Sequence, residues 1–581
     1  MLYTKVDGLV FLVQRKHKAS LRFLANKLGW PVSVVEQVAR VLESEGIVSL
    51  HYPVTLIQSP NVVFRKAITT PELTEPKLRT RVLETYKMSV DQVPADVTIA
   101  EVEGEPRPLY RVVIPEVGPY TKIFFEHLKD EIAREIPIEV GEITDVVRSR
   151  ALKRRFYETA LKHVRERLPE MGEETDELLA GIMLHAMYGL GNIEILMADD
   201  WIEEVTVNGS RQPISIYHRK YGWLKTNLVL ETEQEIFDYA SQVGRRVGEQ
   251  INLLHPILDA HLVTGDRVNA TLFPISAAGN TITIRRFARN PWTITQFCSK
   301  ELNTMSKEMA ALLWMSVQYE LNIMVAGGTA SGKTSALNTL CALLPPYHRL
   351  LSIEDTRELA LPSYLNWNWV PMTTRGPSEE GVGEVTMLDL LISALHMRPD
   401  RIIFGEIRKK REAETLFEAM HTGHSTYTTM HADTAQQVMR RLMEAPMEIA
   451  PVELESLHMV VVQYRDRRTN LRRTFEICEV VPGAEARPVD LSCIYRWRAR
   501  KDAFEQINGP TRIYDELNTH TGMTIKEIEA DLADRKKILG WMVGRKTFSV
   551  EDVGTVMKAY YSDADRVLKA AEKGWPITKL A

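Results

Sequence analysis

The residue types and spacing most suited to chemistry fall in one stretch, Gly327-Gly328-Thr329-Ala330-Ser331-Gly332-Lys333-Thr334-Ser335. From Gly327 to Thr334 it reads G-x-x-x-x-G-K-T, the spacing of a phosphate-binding P-loop. Glycines let backbone N–H groups converge on a polyphosphate, and the N-terminus of a following helix adds a favourable dipole. In that reading Lys333 reaches the β- and γ-phosphates and the Thr334 hydroxyl is a ligand for Mg²⁺. The flanks agree with it. An apolar run, Ile323 to Ala326, predicts a strand leading into the loop, and Ala336 to Leu344 predicts a helix after it.

Carboxylates decide whether such a loop hydrolyses what it binds. Leu351-Ser-Ile-Glu354-Asp355-Thr-Arg-Glu358 places acids just past a predicted strand end, at the edge where open α/β sheets bind ligands. Glu354 is the candidate base that orients and deprotonates the attacking water, with Glu358 second to it. Arg401-Ile-Ile-Phe-Gly-Glu406 is an apolar strand ending in a carboxylate, as a Mg²⁺-holding Walker B strand does, with glutamate where aspartate is usual. Gly423-His424 and Met430-His431 flank a further short strand. Those two histidines suit either phosphate sensing and subunit linkage or plain packing.

The surrounding chain divides by pattern. Residues 1–65 read as a winged-helix-like domain: Ser20 and Ser33 are expected to cap two short helices around Gly29-Trp30-Pro31, and 47–56 forms the wing with Pro53 at its bend. The second helix carries Glu36, Glu43 and Glu45 against Arg40, a charge balance that phosphate repels and that favours protein docking over DNA reading. Residues 66–145, opening on a linker over 66–78, form a small α/β accessory domain, with strands between 96 and 115 and a helix from 120 to 136. Residues 146–290 form an α+β block with strands at 202–209, 214–217, 267–272 and 281–287 and a helix from Glu233 to Val247. The basic run Arg148 to Arg155 reads as a solvated helix face. A linker, 291–304, leads to the P-loop domain, 305–460. Alternating strands and helices there imply a mostly parallel sheet covered on both faces. In the C-terminal module, 461–581, Arg465 to Arg473 reads as a solvated strand edge, and Thr524-Ile-Lys-Glu527 is a capping box.

Composition narrows the setting. The 581 residues carry a formal net charge of −5, which gives no global pull toward nucleic acid or an anionic membrane. Cys298, Cys341, Cys478 and Cys493 form no C-x-x-C pair and suggest neither a disulfide scaffold nor a zinc site. No apolar run approaches the length of a membrane span, and the N-terminus lacks a signal peptide's cleavage site. A reduced, cytoplasmic setting with peripheral membrane association is the expectation.

Taken together, GGTASGKT, SIEDTREL, RPDRIIFGEIR and TGHSTYTTMHA resemble the Walker A, Asp box, Walker B and His box of the secretion-superfamily ATPases. These power type II and type IV secretion and the assembly of type IV pili and archaella. The resemblance extends upstream through GNIEILMADDWIEEVTVNG, HPILDAHLVTGDRVNAT and TITIRRF, covering roughly residues 185–460. More loosely, 100–145 and the C-terminal module are similar to the archaeal branch. The resemblance implies an α/β fold: a RecA-like P-loop domain preceded by an α+β N-terminal domain. It implies ATP and Mg²⁺ as cofactors and a homo-hexameric ring. ATP would sit between the two blocks, and Arg267 and Arg285 of the N-terminal block would complete the site, with Arg286 as a neighbouring alternative. Glu354, Glu406 and His431 would take the catalytic-glutamate, Walker B and His-box positions, with His424 alongside. His261 and His396 stand where family members often carry arginine, and the four-cysteine zinc module of many bacterial members is missing.

The expected function is therefore an ATP-driven ring at the inner face of the cell membrane. It would work through a polytopic membrane platform protein, acting indirectly on pilin-like subunits or a secreted substrate. Closure of the two domains on the γ-phosphate and release after hydrolysis would supply the movement. The alternative is a nucleic-acid motor for DNA uptake or conjugation, with the winged helix touching DNA. The acidic helix and net negative charge argue against nucleic acid as a partner.

Overall fold

The apolar run ahead of the P-loop is a strand, Ile323–Gly327, buried along its whole length. Its alternate residues supply two different cores: Ile323 and Val325 pack into one apolar cluster, Met324 and Ala326 into another. A strand apolar on both faces belongs inside a helix-covered parallel sheet, and that is its place. The computed structural model describes residues 1–53, 59–68, 80–136, 146–262, 264–287, 290–376, 382–483 and 489–580. It divides into two compact units, Met1–Phe287 and Ala288–Ala581.

In the second unit the sheet runs Trp369–Thr373, Leu350–Glu354, Arg401–Phe404, Ser425–Met430, Ile323–Gly327, Met459–Arg465, Arg472–Pro482, Val489–Arg498, Ala503–Gln506. Pairing is parallel from Trp369–Thr373 through Met459–Arg465 and antiparallel thereafter. The P-loop strand lies between Ser425–Met430 and Met459–Arg465, the strand order of a RecA-like domain. One core holds the helix Lys307–Gln318 together with apolar residues of the C-terminal helices Arg512–Thr521, Ile525–Gly544, Val550–Ser562 and Ala564–Glu572. The strands and helices beyond residue 460 thus continue the sheet and core of the P-loop region. Thr524 and Glu527 form the expected capping box. Arg473 departs from the expectation of a solvated edge. It is buried and binds Asp502 through Nε and Nη2 at 2.7 Å each.

In the first unit a nine-stranded sheet runs Ile257–His261, Arg267–Thr271, Thr281–Arg285, Ile202–Asn208, Pro213–His218, Gly222–Val229, Leu109–Val113, Val93–Val102, Thr80–Val90. Strands from segments 66–145 and 146–290 share it, joined where Leu109–Val113 runs parallel to Gly222–Val229. The helix Glu233–Val247 forms as expected, capped by Thr232.

At the N-terminus Leu21–Leu28 is capped by Ser20. Ser33 is not a cap: the helix Val32–Ser44 starts from Pro31 without a side-chain cap, leaving Ser33 inside its first turn. Strands Lys18–Ser20, Asn61–Phe64 and Val48–His51 form the small winged sheet. Wing residues 54–56 and linker residues 69–78 lie outside the described residues. An earlier helix, Lys5–Lys16, carries Asp7, whose buried carboxylate accepts from Thr4 N, Tyr120 N and Thr121 Oγ1. It fastens this helix to the start of Pro119–Glu135. Arg148, Arg154 and Arg155 of the basic run are exposed, as expected of a solvated face.

Candidate active site at the P-loop

The loop ends earlier than its sequence predicts. The following helix begins at Lys333 and runs to Cys341 with Gly332 as its N-cap. Lys333, Thr334 and Ser335 therefore occupy the first turn, whose N–H groups have no partners within the helix. Gly332 holds φ +95° and Ala330 φ +58°, left-handed backbone of the kind from which anion-binding loops are built. At Gly327 a Cβ would collide with Ser331 Oγ and the Gln463 carbonyl. Ser331 Oγ is itself buried without a hydrogen-bond partner. An unsatisfied hydroxyl inside a cradle of amides fits a phosphate-bearing ligand.

Around this cradle the strand ends assemble a chain of charges. Lys333 Nζ donates to the Gly328 carbonyl at 3.3 Å and lies 3.1 Å from His431 Nδ1. His431 Nε2 lies 3.1 Å from Glu406 Oε1. Glu406 Oε2 accepts from Arg408 Nε at 3.0 Å and Nη2 at 2.8 Å, and Arg408 Nη1 donates onward to Asp355. Burial, and then the Lys333 ammonium, hold the His431 imidazole below its ordinary pKa. Its carbonyl also accepts from Arg441.

Glu354 ends its strand buried. Oε1 accepts from the backbone N–H of Glu358 at 2.9 Å and of Leu359 at 3.1 Å, whereas Oε2 has no partner. Burial, against those backbone bonds, raises its pKa from 4.5 to about 7. A carboxyl poised near neutrality with a bare oxygen is suited to take a proton from water. Glu358 contributes its backbone N–H to Glu354, and its charge helps raise the Glu354 pKa.

The oxygens of Thr334 and Glu406 are hard donors of the kind Mg²⁺ prefers. Both Glu406 oxygens face cationic or imidazole partners, which fix the orientation of this carboxylate. Arg408 escaped the sequence reading, although it stands only two residues beyond Glu406; Asp355, placed with the acids past the strand end, proves to be its second partner. Arg472 is a second omission: its Nε donates to the Ala330 carbonyl at 3.3 Å, and its side chain lies against Gly332. Nothing in the spacing of the motif announces it.

His424 does not join this group. It sits at the opposite end of Ser425–Met430 from His431, about 20 Å away along the strand. Its Nδ1 faces the Ala419 carbonyl and the Thr422 hydroxyl.

Within the first unit, His261, Arg267 and Arg285 stand side by side across three strands, and Glu204 is next in the row. Directly opposed residues share one face of a sheet. Arg267 binds Asp259 through Nε at 3.1 Å and Nη2 at 2.7 Å, and both Arg267 and Arg285 are exposed. Arg286 differs from them: its side chain is buried and donates to the carbonyls of Asp199 and Ile202. His396 is exposed at the end of the helix Met387–Leu395.

Fold and site together define a P-loop, RecA-like nucleotide-binding protein. Residues 249–520 match the family described as Type II/IV secretion system protein. An uncharacterized protein of Methanocaldococcus jannaschii, MJ0900, is 32% identical over 414 residues, which is 70% of this chain and 73% of that one. The type IV secretion system protein PtlH of Bordetella pertussis is 31% identical over 42% of this chain and 76% of its own. The X-ray structure of the Legionella pneumophila ATPase DotB aligns with 66% of this chain and 94% of its own at 18% identity, with a TM-score of 0.37. The chain belongs to the type II/IV secretion system protein family.

Proposed function

We propose that this chain is a Mg²⁺-dependent ATPase that drives a secretion or pilus-type machine. The observation that carries the reading is Glu354: a buried carboxyl with a bare oxygen and a pKa raised to about 7, at the edge of the sheet where the P-loop opens.

In this reading the loop amides and Lys333 bind the ATP phosphates, and Lys333 leaves His431 to do so. Glu354 accepts the proton of the attacking water through Oε2, while the Glu358 and Leu359 amides keep Oε1 in place. Thr334 and Glu406 would hold Mg²⁺, which would neutralise charge on the phosphates. Arg408 and His431 orient Glu406 from its two oxygens. Arg267 and Arg285 act on charge that develops at the transferred phosphoryl group. The working form is a homo-hexameric ring, peripheral at the inner face of the membrane on the cytoplasmic side. It drives pilin-like subunits or a secreted substrate by way of a polytopic platform protein. No helix among the described residues is long and apolar enough to cross a membrane, which accords with peripheral attachment. Phosphate release from ATP by the full chain, compared with Lys333→Ala, is the test. Equal rates in both would remove the site assignment.

The winged helix keeps a second reading in view, a nucleic-acid motor. Its helix Val32–Ser44 has its arginine engaged: Arg40 Nη2 donates to Glu36 Oε1 at 2.8 Å, and the Tyr52 hydroxyl donates to the same oxygen. A helix with Glu36 and Glu43, followed by Glu45, around an arginine already paired within it makes poor contact with phosphates. Turnover stimulated by duplex DNA with a steep salt dependence would favour the second reading.

A further inference from the structure

Two of the four cysteines face each other across neighbouring strands. Cys478 of Arg472–Pro482 is the register partner of Cys493 of Val489–Arg498, and the register shifts beside it, between Ile477 and Cys478. Directly opposed residues share a face, with Cβ atoms about 4.5–5.5 Å apart. A disulfide asks for about 3.5–4.5 Å, and the irregular backbone beside the pair supplies the slack for that small approach. The thiol sulfurs and a carboxylate oxygen of Glu476 all lie within 4.8 Å of one another. Both cysteines are reduced; Cys478 is buried and Cys493 partly exposed.

A bound cation is the obvious alternative, and the surroundings disfavour it. The third donor is already committed: Glu476 Oε1 accepts from Ala435 N at 2.8 Å, and Oε2 pairs with Arg496 Nη2 at 2.9 Å. A divalent ion would meet the Arg496 guanidinium in the position it needs. The same guanidinium favours a thiolate. Its Nε is buried without a hydrogen-bond acceptor of normal geometry. Cys493 Sγ donates to the Tyr495 carbonyl at 3.3 Å. Even so, the neighbouring Cys478 thiol, and after it Arg496, hold the Cys493 thiol below its ordinary pKa despite burial, while Cys493 and burial push Cys478 up. Cys298 and Cys341 contrast with them: burial raises Cys298 to about 12 and holds Cys341 protonated as well.

We propose that Cys478 and Cys493 are a reversible dithiol–disulfide pair, oxidised by low-molecular-weight organic disulfides, on the extension of the P-loop sheet. Cys493, the more accessible, attacks first as thiolate. Its sulfur bonds to one sulfur of the external disulfide and expels the other as a thiolate. Cys478, losing its proton, then attacks Cys493 Sγ and expels the second external thiolate. The two protons given up by the cysteines end on the two released thiols, so one external disulfide is reduced as one internal disulfide forms. The pair is tied to the nucleotide site by Glu476, whose bond to Ala435 N holds the helix Ala435–Met443 just after His431. The inference stands independently of the proposed function.

The test is to incubate the full chain with oxidised glutathione, quench in acid, unfold it and count thiols. The expected result is a fall of two from the four thiols, reversed by dithiothreitol, with a non-reducing peptide map joining the Cys478 and Cys493 peptides. Cys478→Ser should stop at a glutathione adduct on Cys493, and Cys493→Ser should lose no thiol. Four thiols surviving in the unsubstituted chain would overturn the proposal, as would oxidation of Cys298 or Cys341 instead. So would stoichiometric zinc in the purified chain that shields both sulfurs. The decisive count comes from the unsubstituted chain, so it holds even where a variant misfolds.

Discussion

Lys333 Nζ lies 3.1 Å from His431 Nδ1, so the group that should bind phosphate rests against an imidazole. The ammonium helps keep that imidazole neutral. Nucleotide that draws Lys333 away, or supplies negative charge, should raise the His431 pKa, and so should Lys333→Ala. NMR titration of His431 with and without a non-hydrolysable ATP analogue measures the shift; a downward shift would contradict this placement. Lys333→Ala should also lower ATP turnover by about a hundredfold or more, the scale on which a phosphate-stabilising charge counts.

Glu354 gives a pH dependence with a defined sign. As a base it works deprotonated, so kcat/KM, which reports the free enzyme, should rise with pH through about 7. Its effect on stability runs the other way. Between 4.5 and about 7 the folded chain keeps a proton that the unfolded chain has lost, so stability contributed by this group falls as pH rises across that window. Glu354→Gln should cut hydrolysis by about a hundredfold or more, retain nucleotide, and melt no lower than the unsubstituted chain at pH 8. A normal rate would move the base elsewhere, with Glu358 next to be tested.

Arg408 bridges Glu406 and Asp355. Arg408→Ala should leave ATP affinity nearly unchanged, since the P-loop is intact. It should weaken the Mg²⁺ dependence and kcat by about tenfold to a hundredfold, the usual cost of losing a partner that orients a metal-binding carboxylate. Turnover measured across a Mg²⁺ titration separates the two effects; an unchanged Mg²⁺ midpoint would refute the positioning role.

Adjacent arginines in Thr-Ile-Arg285-Arg286 should behave differently. Arg285→Ala and Arg267→Ala should reduce turnover by about a thousandfold, as expected where a guanidinium meets transition-state charge, with melting temperature preserved. Arg286→Ala removes the side-chain donor from the Ile202 carbonyl and one of two donors from the Asp199 carbonyl, which keeps Ile202 N, and should cost about 1–3 kcal/mol of stability. Thermal melts paired with phosphate release separate these outcomes, and full activity in both exposed-arginine variants would exclude them from the chemistry.

Local chemistry fixed a good deal in advance. The P-loop reads from its own spacing because each of its residues acts through backbone or side chain within one turn. Strand Arg401–Phe404 and helix Glu233–Val247 fall where their apolar periodicity placed them, since burial on one or two faces imprints a local pattern. The Ser33 cap failed for an equally local reason: Pro31 can open a helix, and it did so two residues sooner.

What the one-dimensional pattern could not decide is which distant charges meet. Asp355, Glu406, Arg408 and His431 gather because parallel strands deliver their C-terminal ends to one edge, and no spacing rule encodes that strand order. Pairing also separated look-alikes: His424 from His431 by the length of a strand, Arg286 from Arg285 by the alternation of the pleat. It set Cys478 opposite Cys493 through an irregular register. Residue type determined what each group can do, whereas sheet order and register determined with which partner, because contacts across a sheet depend on three-dimensional pairing that sequence separation does not record.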